Sequence, residues 1–160
     1  MEKPNIICID DQRQVLATIQ KDLEVFERHC TIQLCETAAE ARDVLEDLDA
    51  SGEMIAMLVC DHIMPGMNGV DFLIEVNGDE RFKHTKKILL TGLATHRDAI
   101  IAINEASVDR YLEKPWDSQE LIDTVRTLLT HFIFDTNLNH EEFEDILDAN
   151  IVSQKLQKQR

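Results

Sequence analysis

Short apolar runs alternate with stretches of helical periodicity five times along the chain, and this alternation limits the fold more than any other feature. Continuously apolar runs between polar residues are typical of parallel strands that are covered on both faces. The stretches between the runs place apolar residues three or four positions apart, as on one face of a helix. Strands that alternate with helices predict right-handed crossovers and an α/β sandwich. The runs span residues 6–9, 31–35, 55–60, 88–90 and 108–112.

The composition of the runs predicts their places in the sheet. The runs at 6–9, 55–60 and 88–90 are continuously apolar, so we expect them to be central strands, whereas the run at 31–35 alternates and predicts an edge strand. Capping residues at Thr37 and Asp117 open two of the predicted helices, and the repeat ends near Asp135. The helical stripes are Val15, Ile19, Leu23 and Phe26, then Ala41, Val44, Leu45 and Leu48, and later Leu121, Val125, Leu128 and Phe132.

The last 25 residues predict one more helix. A capping box at 139–142 precedes an apolar stripe at Phe143, Ile146, Leu147 and Ile151. We therefore divide the chain into a domain at 1–135 and a helical extension or linker at 136–160. Its polar end slightly favours a linker to an effector domain over a cap on the domain. It has too few turns to show a sustained heptad, so a homodimer through this helix stays open.

Charge and cysteine content exclude several classes of function. The formal net charge of −15 would repel a nucleic acid, so we expect no DNA binding through this chain. No run of about 18 apolar residues occurs that could span a membrane, and the N-terminus does not resemble a signal peptide. Cysteines without a Cys-x-x-Cys spacing predict buried free thiols in a reducing cytoplasm, where we place the protein. They are Cys8, Cys30, Cys35 and Cys60.

Polar residues that could bind a ligand or take part in a reaction follow four of the predicted strands. Asp10-Asp11 ends the first, Asp61 the third, Thr91-Gly92 the fourth and Lys114 the fifth. Ligands bind to open α/β sheets where the carboxyl ends of the strands emerge, so these groups should meet at one edge.

Carboxylates this close together repel one another unless a cation shares the site. Oxygen ligands without a Cys or His cluster favour Mg²⁺ or Mn²⁺ over zinc. A carboxylate beside such an ion is a nucleophile towards phosphorus, while a lysine and a hydroxyl can hold the other phosphoryl oxygens. The sequence therefore predicts a phosphoryl acceptor.

Four motifs together resemble the signature of the receiver domains of two-component response regulators. They are Asp10-Asp11, the segment 61–69, Thr91-Gly92 and Lys114-Pro115. The resemblance covers residues 5 to about 135, and segments 90–105 and 110–116 are similar to receivers of hydrogenase regulators and of regulators with phosphodiesterase outputs. It implies a flavodoxin-like, doubly wound, five-stranded parallel sheet in the order 2-1-3-4-5 with five helices, to which the tail adds a sixth.

The resemblance implies that Asp61 is the phosphoacceptor, attacking the phosphohistidine of a sensor histidine kinase or a histidine phosphotransfer protein. Asp10 and Asp11 would hold Mg²⁺ or Mn²⁺ together with Asp61 and the backbone carbonyl of Ile63. A downstream effector protein or a covalently linked output domain would then read the phosphorylated state. Such a protein is a cytoplasmic phosphorelay switch and not an enzyme, apart from slow self-dephosphorylation.

The same resemblance implies roles for the fourth and fifth strand ends. Lys114 would pair with the phosphoryl oxygens, and its peptide bond to Pro115 is expected to be cis. Thr91 would swing its hydroxyl onto the new phosphoryl group, and Gly92 would leave room for a backbone amide to approach. Tyr111, at the aromatic switch position of the family, would move inward with Thr91. This movement would reshape the face made by helix four, strand five and helix five.

Several neighbouring residues allow narrower predictions. Ile63 and Leu93 lie two residues after Asp61 and Thr91, and their apolar side chains should shield the acyl phosphate from water, giving slow self-dephosphorylation. His62 should point away from the site, because neighbouring residues at a strand end face opposite ways. Helix four cannot bury all of its isoleucines, so we expect Ile101 to be exposed on the signalling face.

Two alternatives stay open. Haloacid-dehalogenase-like phosphatases use similar groups, but their nucleophile lies in an Asp-x-Asp motif after the first strand, where this chain has Asp10-Asp11-Gln12. Turnover of a generic phosphomonoester would identify such an enzyme. The second alternative is a receiver-like interaction scaffold that takes no phosphate. A mass increase with a small phosphodonor, lost in Asp61→Asn, would exclude it.

Overall fold

The fold is a three-layer α/β sandwich around a parallel sheet, in a computed structural model that describes residues 3–92 and 96–159. The five strands lie in the order β2-β1-β3-β4-β5, as predicted. The strands are β1 Asn5–Ile9, β2 Thr31–Cys35, β3 Ile55–Asp61, β4 Lys86–Thr91 and β5 Arg110–Glu113. The α-helices are α1 Arg13–Asp22, α2 Ala38–Ala50, α3 Gly69–Asn77, α4 His96–Glu105, α5 Ser118–Asp135 and α6 Ala149–Lys158, with 3-10 segments at Leu23–Phe26, Glu80–Phe82 and His140–Ile146.

Burial along the strands confirms the predicted positions in the sheet. Every residue of β1 and β3 is buried, and β4 is buried after its first residue, whereas β2 is half-buried at the edge. The fifth strand begins at Arg110, two residues later than predicted. Val108 closes α4 instead, because its N–H donates to the carbonyl oxygen of Ala102 at 3.2 Å.

Alternate residues of the central strands belong to two separate cores. One core packs against α1 and α5 and contains Cys8, Val59, Leu90 and Leu112 from four strands. The other packs against α2, α3 and α4 and contains Ile9, Cys60 and Leu89. Each strand therefore sends odd and even positions to opposite layers, as a pleated backbone requires. This alternation decides which side of the sheet each residue at a strand end faces.

Side chains cap the predicted helices. The hydroxyl of Thr37 accepts the N–H of Glu40 at 3.0 Å, and the carboxylate of Asp117 accepts the N–H of Gln119 at 2.9 Å. These bonds satisfy amides that the first turn of a helix leaves without a backbone partner. Helix α5 ends where Asn137 adopts a left-handed φ of 57° and the N–H of Leu138 donates back to Ile133 at 3.0 Å. This C-cap turns the chain back over α5.

The sixth α-helix predicted for the tail forms, but it begins later than the capping box at 139–142 indicated. Residues 140–146 form a 3-10 segment capped by Asn139, and Leu147 is extended, with φ −97° and ψ 163°. A separate α6 then begins after Asp148, whose carboxylate accepts the N–H of Ile151 at 3.1 Å. Two capping residues nine positions apart divide the apolar stripe into two elements, because each offers its own start.

The 3-10 segment of the tail packs into the core beneath α1 and α5. Phe143, Ile146 and Leu147 are buried there, and the Phe143 ring lies edge-on to His29 with 5.8 Å between the ring centroids. The carboxylate of Asp145 lies 2.7 Å from Nε2 of His29. The N–H of Asp148 donates to the hydroxyl of Thr130 at 3.0 Å. The extension therefore contacts both the α1–β2 loop and the middle of α5.

The exposed side of α4 also differs from the prediction. Ile101 is half-buried against the core, while Ile100 and Ile103 are 46% and 56% exposed. The prediction that Ile101 is exposed is therefore wrong, because the buried side of α4 runs through Ile101 and Ala102. Leu93 lies outside the described residues.

The burial of the cysteines and the character of the helices agree with what the sequence predicted. The free cysteines of the described residues, Cys8, Cys30, Cys35 and Cys60, are all buried. Burial raises the pKa of the Cys30 and Cys35 thiols to about 12, which keeps them protonated and unreactive at neutral pH. None of the described helices combines the length and the apolar character needed to cross a membrane.

Candidate functional site

The carboxyl ends of the strands bring the predicted site residues to one edge of the sheet. Asp10 follows β1, Asp61 ends β3, Thr91 ends β4 and Lys114 follows β5. Strand alternation places Asp10, Asp61 and Lys114 two residues beyond members of the α1–α5 core, so these three share one side of the sheet. Thr91 comes two residues after Leu89 and belongs to the other side.

Three carboxylates form the centre of this site. One oxygen from each of Asp10, Asp11 and Asp61 lies within 4.8 Å of the others. Asp10 and Asp61 are buried, while Asp11 is exposed. Among the side chains that the structure describes, no other three acidic, cysteine or histidine residues approach one another this closely. The N–H of Gln12 donates to Asp10 at 2.8 Å and orients its carboxylate.

Lys114 connects two of the carboxylates. Its Nζ lies 2.7 Å from Oδ2 of Asp10 and 3.0 Å from Oδ1 of Asp61. Burial alone would lower the pKa of Lys114, but the hydrogen bonds to both carboxylates outweigh it and raise that pKa. Lys114 therefore stays charged. The N–H of Lys114 also donates to the carbonyl oxygen of Thr91 at 2.9 Å, and the Lys114–Pro115 peptide bond is cis.

Asp61 is ionised less easily than an ordinary aspartate. Burial raises the pKa of its carboxyl, and the charges of Asp10 and Asp11 raise it further against the opposing hydrogen bond from Lys114. One ammonium group thus balances only part of the negative charge of three carboxylates. A hard divalent cation is the partner that such an oxygen-rich, acidic cluster fits.

A recess of about 290 Å³ opens beside Asp61. It has room for a phosphoryl group and its coordination partners. Ile63 stands at its rim with 60% of its surface exposed. The lining residues are Asp11, Gln12, Asp61, Ile63, Thr91, Gly92 and Lys114.

Glycine at position 69 allows α3 to begin directly beneath β3. A Cβ on Gly69 would overlap the backbone carbonyl oxygen of Asp61, so no other residue fits without moving β3 or α3. The N–H of Gly69 donates to the carbonyl oxygen of His62 at 2.7 Å. This close approach fixes the backbone that follows the Cα atom of Asp61.

Sequence reasoning gave no role to His62, which the structure places beside Thr91. Its side chain faces away from Asp61, as strand alternation predicted, but its Nδ1 lies 3.5 Å from the hydroxyl oxygen of Thr91. The pattern that could have revealed this contact is the register of two adjacent strands. Cys60 pairs with Leu89, so the residues two positions beyond each share a face.

Tyr111 lies on the same side of the sheet as Thr91 and His62. It pairs in register with Leu89 on β4, and its half-buried ring packs against the α2–α4 core. Burial raises the pKa of its hydroxyl, so the ring stays neutral in the physiological range. The candidate switch residues and the acidic cluster therefore lie on opposite sides of the strand ends.

Comparison with known proteins agrees with this geometry. The sequence model of the response regulator receiver domain matches residues 6–126. The chain belongs to this family. Receiver domains are regulatory, phosphorylation-dependent signalling switches that in general bind Mg²⁺ in an acidic pocket and interact with histidine kinases and output domains.

Individual receivers show the same relationship. The hydrogenase transcriptional regulatory protein HoxA of Cupriavidus necator is 32% identical over 125 residues, which cover 78% of this chain but 24% of HoxA. The chemotaxis protein CheY of Pseudomonas aeruginosa is 41% identical over 71 residues, which cover 44% of this chain and 56% of CheY. The chain thus spans about a quarter of the length of the hydrogenase regulators it matches.

A solved structure extends the likeness to the fold. The signal receiver domain of an HD domain-containing protein from Pseudomonas fluorescens Pf-5 superposes with a TM-score of 0.71 at 29% identity. The superposition covers 82% of this chain and 98% of that receiver. Similarity to HoxA supports the hydrogenase-regulator subgroup that the sequence predicted.

Proposed function

We propose that this receiver accepts a phosphoryl group on Asp61, with Mg²⁺ held by Asp10, Asp11 and Asp61. The observation that carries the proposal is the cluster of three carboxylates joined by Lys114 at 2.7 and 3.0 Å. The backbone carbonyl of Ile63, at the rim of the recess, would supply a further oxygen ligand. When bound, Mg²⁺ neutralises charge on the transferring phosphoryl group.

In the proposed reaction a carboxylate oxygen of Asp61 attacks the phosphorus of a phosphohistidine. The new P–O bond forms as the P–N bond breaks, and the leaving imidazole keeps the electron pair and takes a proton from water. Lys114 holds a phosphoryl oxygen as negative charge builds up, since its ammonium already reaches Asp61. Gly92 lines the recess without a side chain that would block the incoming group.

The donor in this proposal is a sensor histidine kinase or a histidine phosphotransfer protein. Output would leave through the face of α4, β5 and α5, towards an effector protein or a linked output domain. Ile100 and Ile103 are exposed on α4, and Tyr111 lies half-buried on β5. Movement of Thr91 towards the phosphoryl group would open space on the Tyr111 side, which connects the site to that face.

We also propose that residues 136–160 act as a packed extension of the receiver and not as a free linker. Phe143 and Ile146 are 1% and 2% exposed, whereas α6 has no fully buried residue. The 3-10 segment would thus belong to the cooperative unit. Helix α6 would be attached to it mainly through the half-buried Val152.

Incubation with acetyl phosphate and Mg²⁺ tests the proposal. We expect mass spectrometry to show the addition of one phosphoryl group to a peptide that contains Asp61, and loss of the modification in Asp61→Asn or with a chelator. Asp71→Asn is the matched control, because Asp71 is an exposed aspartate in the first turn of α3.

Two outcomes would contradict the proposal. Modification of Asp10 together with turnover of p-nitrophenyl phosphate would indicate a phosphatase. Absence of any mass increase in the folded protein would indicate a scaffold that takes no phosphate.

A further inference from the structure

His62 and Thr91 form a contact across two neighbouring strand ends, on the side of the sheet away from the acidic cluster. Nδ1 of His62 lies 3.5 Å from the hydroxyl oxygen of Thr91, and the two residues are 8% and 1% exposed. At this distance the hydrogen bond is long and weak. Little water reaches the two side chains, so solvent competes only weakly for this contact.

The backbone around His62 is held on both sides. Its N–H donates to the carbonyl oxygen of Leu90 at 3.1 Å, which extends the β3–β4 ladder, and its carbonyl oxygen accepts the N–H of Gly69 at 2.7 Å. The backbone of His62 therefore keeps its place relative to β4 and to the start of α3. Thr91 can leave this contact by rotating its own side chain, while the backbone of His62 stays in place.

We propose that His62 is a positioning residue that holds the hydroxyl of Thr91 on the α2–α4 side of the sheet before phosphorylation. The inference rests on the proposed function, in which that hydroxyl moves to the phosphoryl group on Asp61. The move breaks the contact with His62, so His62 favours the unswitched state. One weak hydrogen bond corresponds to about a twofold to fivefold bias between the two states.

Binding of beryllofluoride, a phosphoryl analogue, in the presence of Mg²⁺ tests this bias by calorimetry at one fixed pH. We expect His62→Phe to bind beryllofluoride about twofold to fivefold more tightly than the wild type, because the phenyl ring fills the site without a polar atom. His62→Asn should resemble the wild type, since its side-chain amide occupies the position of Nδ1. In a Thr91→Ala background, His62→Phe should have no effect.

Equal affinity of the wild type and His62→Phe would overturn the inference, and so would the same gain in the Thr91→Ala background, since that would be a purely structural effect. Neither result affects the assignment of Asp61. If the folded wild type binds no beryllofluoride and takes no phosphate, both the proposed function and this inference fail.

A second measurement needs neither metal nor phosphate. We expect the ¹⁵N resonance of His62 Nδ1 in the metal-free protein to shift in Thr91→Val, which removes the hydroxyl and keeps the shape. Thr91→Ser should restore the wild-type resonance. An Nδ1 resonance that is the same in the wild type and Thr91→Val would show that the contact does not form in solution, and would overturn the inference.

Discussion

The two ends of the sheet differ in what their buried residues contribute. At the carboxyl ends of the strands, Asp10 and Asp61 are buried beside a third carboxylate, and their mutual repulsion opposes folding. At the amino ends, Phe143 and Ile146 fill the core beneath α1 and α5. The comparison suggests that the tail supplies stability that the acidic site lacks.

The acidic site and the tail also differ in the burial of their ion pairs. Lys114 is the partner of two buried carboxylates, whereas Asp145 forms an ion pair with Arg28 at the protein surface, at 3.3 Å. Exposed ion pairs contribute little to stability. The free energy at the tail therefore comes mainly from apolar burial.

Removal of the Phe143 ring is the most direct test of whether the tail stabilises the fold. We expect Phe143→Ala to lower the free energy of unfolding by about 3–5 kcal/mol, as is usual for loss of a buried phenyl group. Urea denaturation followed by circular dichroism measures the change. Glu144→Ala is the control, because Glu144 is exposed on the same segment and should change stability by less than about 0.5 kcal/mol. A comparably small effect of Phe143→Ala would mean that the tail is a loosely attached linker.

At the carboxyl ends of the strands, Mg²⁺ should offset the repulsion between the carboxylates. At a concentration ten times the dissociation constant, we expect Mg²⁺ to raise the free energy of unfolding by about 1.4 kcal/mol, since it binds the folded state alone. Asp10→Asn should lose most of this gain, while Asp71→Asn should keep it. Unfolding in Mg²⁺ and in EDTA gives the comparison. An equal gain in Asp10→Asn would place the ion elsewhere.

Neutralising Asp61 tests the same repulsion without metal. A carboxyl whose pKa is raised in the folded state stabilises the fold below its unfolded pKa and loses that contribution as the pH rises through the folded value. At neutral pH and in EDTA, Asp61→Asn should therefore raise the free energy of unfolding, by an amount on the order of 1 kcal/mol.

The difference between Asp61→Asn and the wild type should shrink on acidification, because protonation removes the same charge. Urea denaturation at a series of pH values measures it, with Asp71→Asn as the control. A mutant less stable than the wild type at neutral pH would show that the Lys114 ion pair outweighs the repulsion.

The sequence predicted the sheet and the meeting of the acidic groups for one physical reason. Continuously apolar runs that alternate with helical stretches are typical of central parallel strands, and the ends of parallel strands emerge at the same edge. Asp10, Asp61 and Lys114 therefore share one side of the sheet once the strand order is known. The side chain of Lys114 could not be placed between the two carboxylates from sequence, since its position depends on rotamers and on burial.

The tail and α4 were harder to predict because their structure depends on contacts distant in sequence. Asp145 contacts His29, which lies 116 positions earlier in the sequence, and no local pattern predicts such a pair. A stripe of apolar residues also fails to show a break when a capping residue such as Asp148 interrupts it. On α4, a helical phase error of one residue is enough to exchange Ile101 with Ile100 at the surface.

The smallest expected effect concerns the lifetime of the phosphoryl group. It compares an apolar residue at the carboxyl ends of the strands, Ile63, with the buried apolar residues of the tail. Ile63 offers no polar atom to water at the rim of the recess, where it is 60% exposed. We expect Ile63→Asn to accelerate loss of phosphate from Asp61 about fivefold, because an amide can hydrogen-bond and orient the attacking water. Decay of the phosphorylated protein after removal of the donor, followed by mass spectrometry, measures the rate.

Val25→Asn is the matched control for this substitution, since Val25 is another exposed aliphatic residue, 45% exposed on the 3-10 segment after α1. It should leave the rate unchanged. A slower loss of phosphate in Ile63→Asn would show that the isoleucine does not shield the acyl phosphate. A fivefold acceleration with unchanged stability would instead show that the apolar rim sets the lifetime of the switch while adding nothing to the fold, in contrast to the apolar residues of the tail.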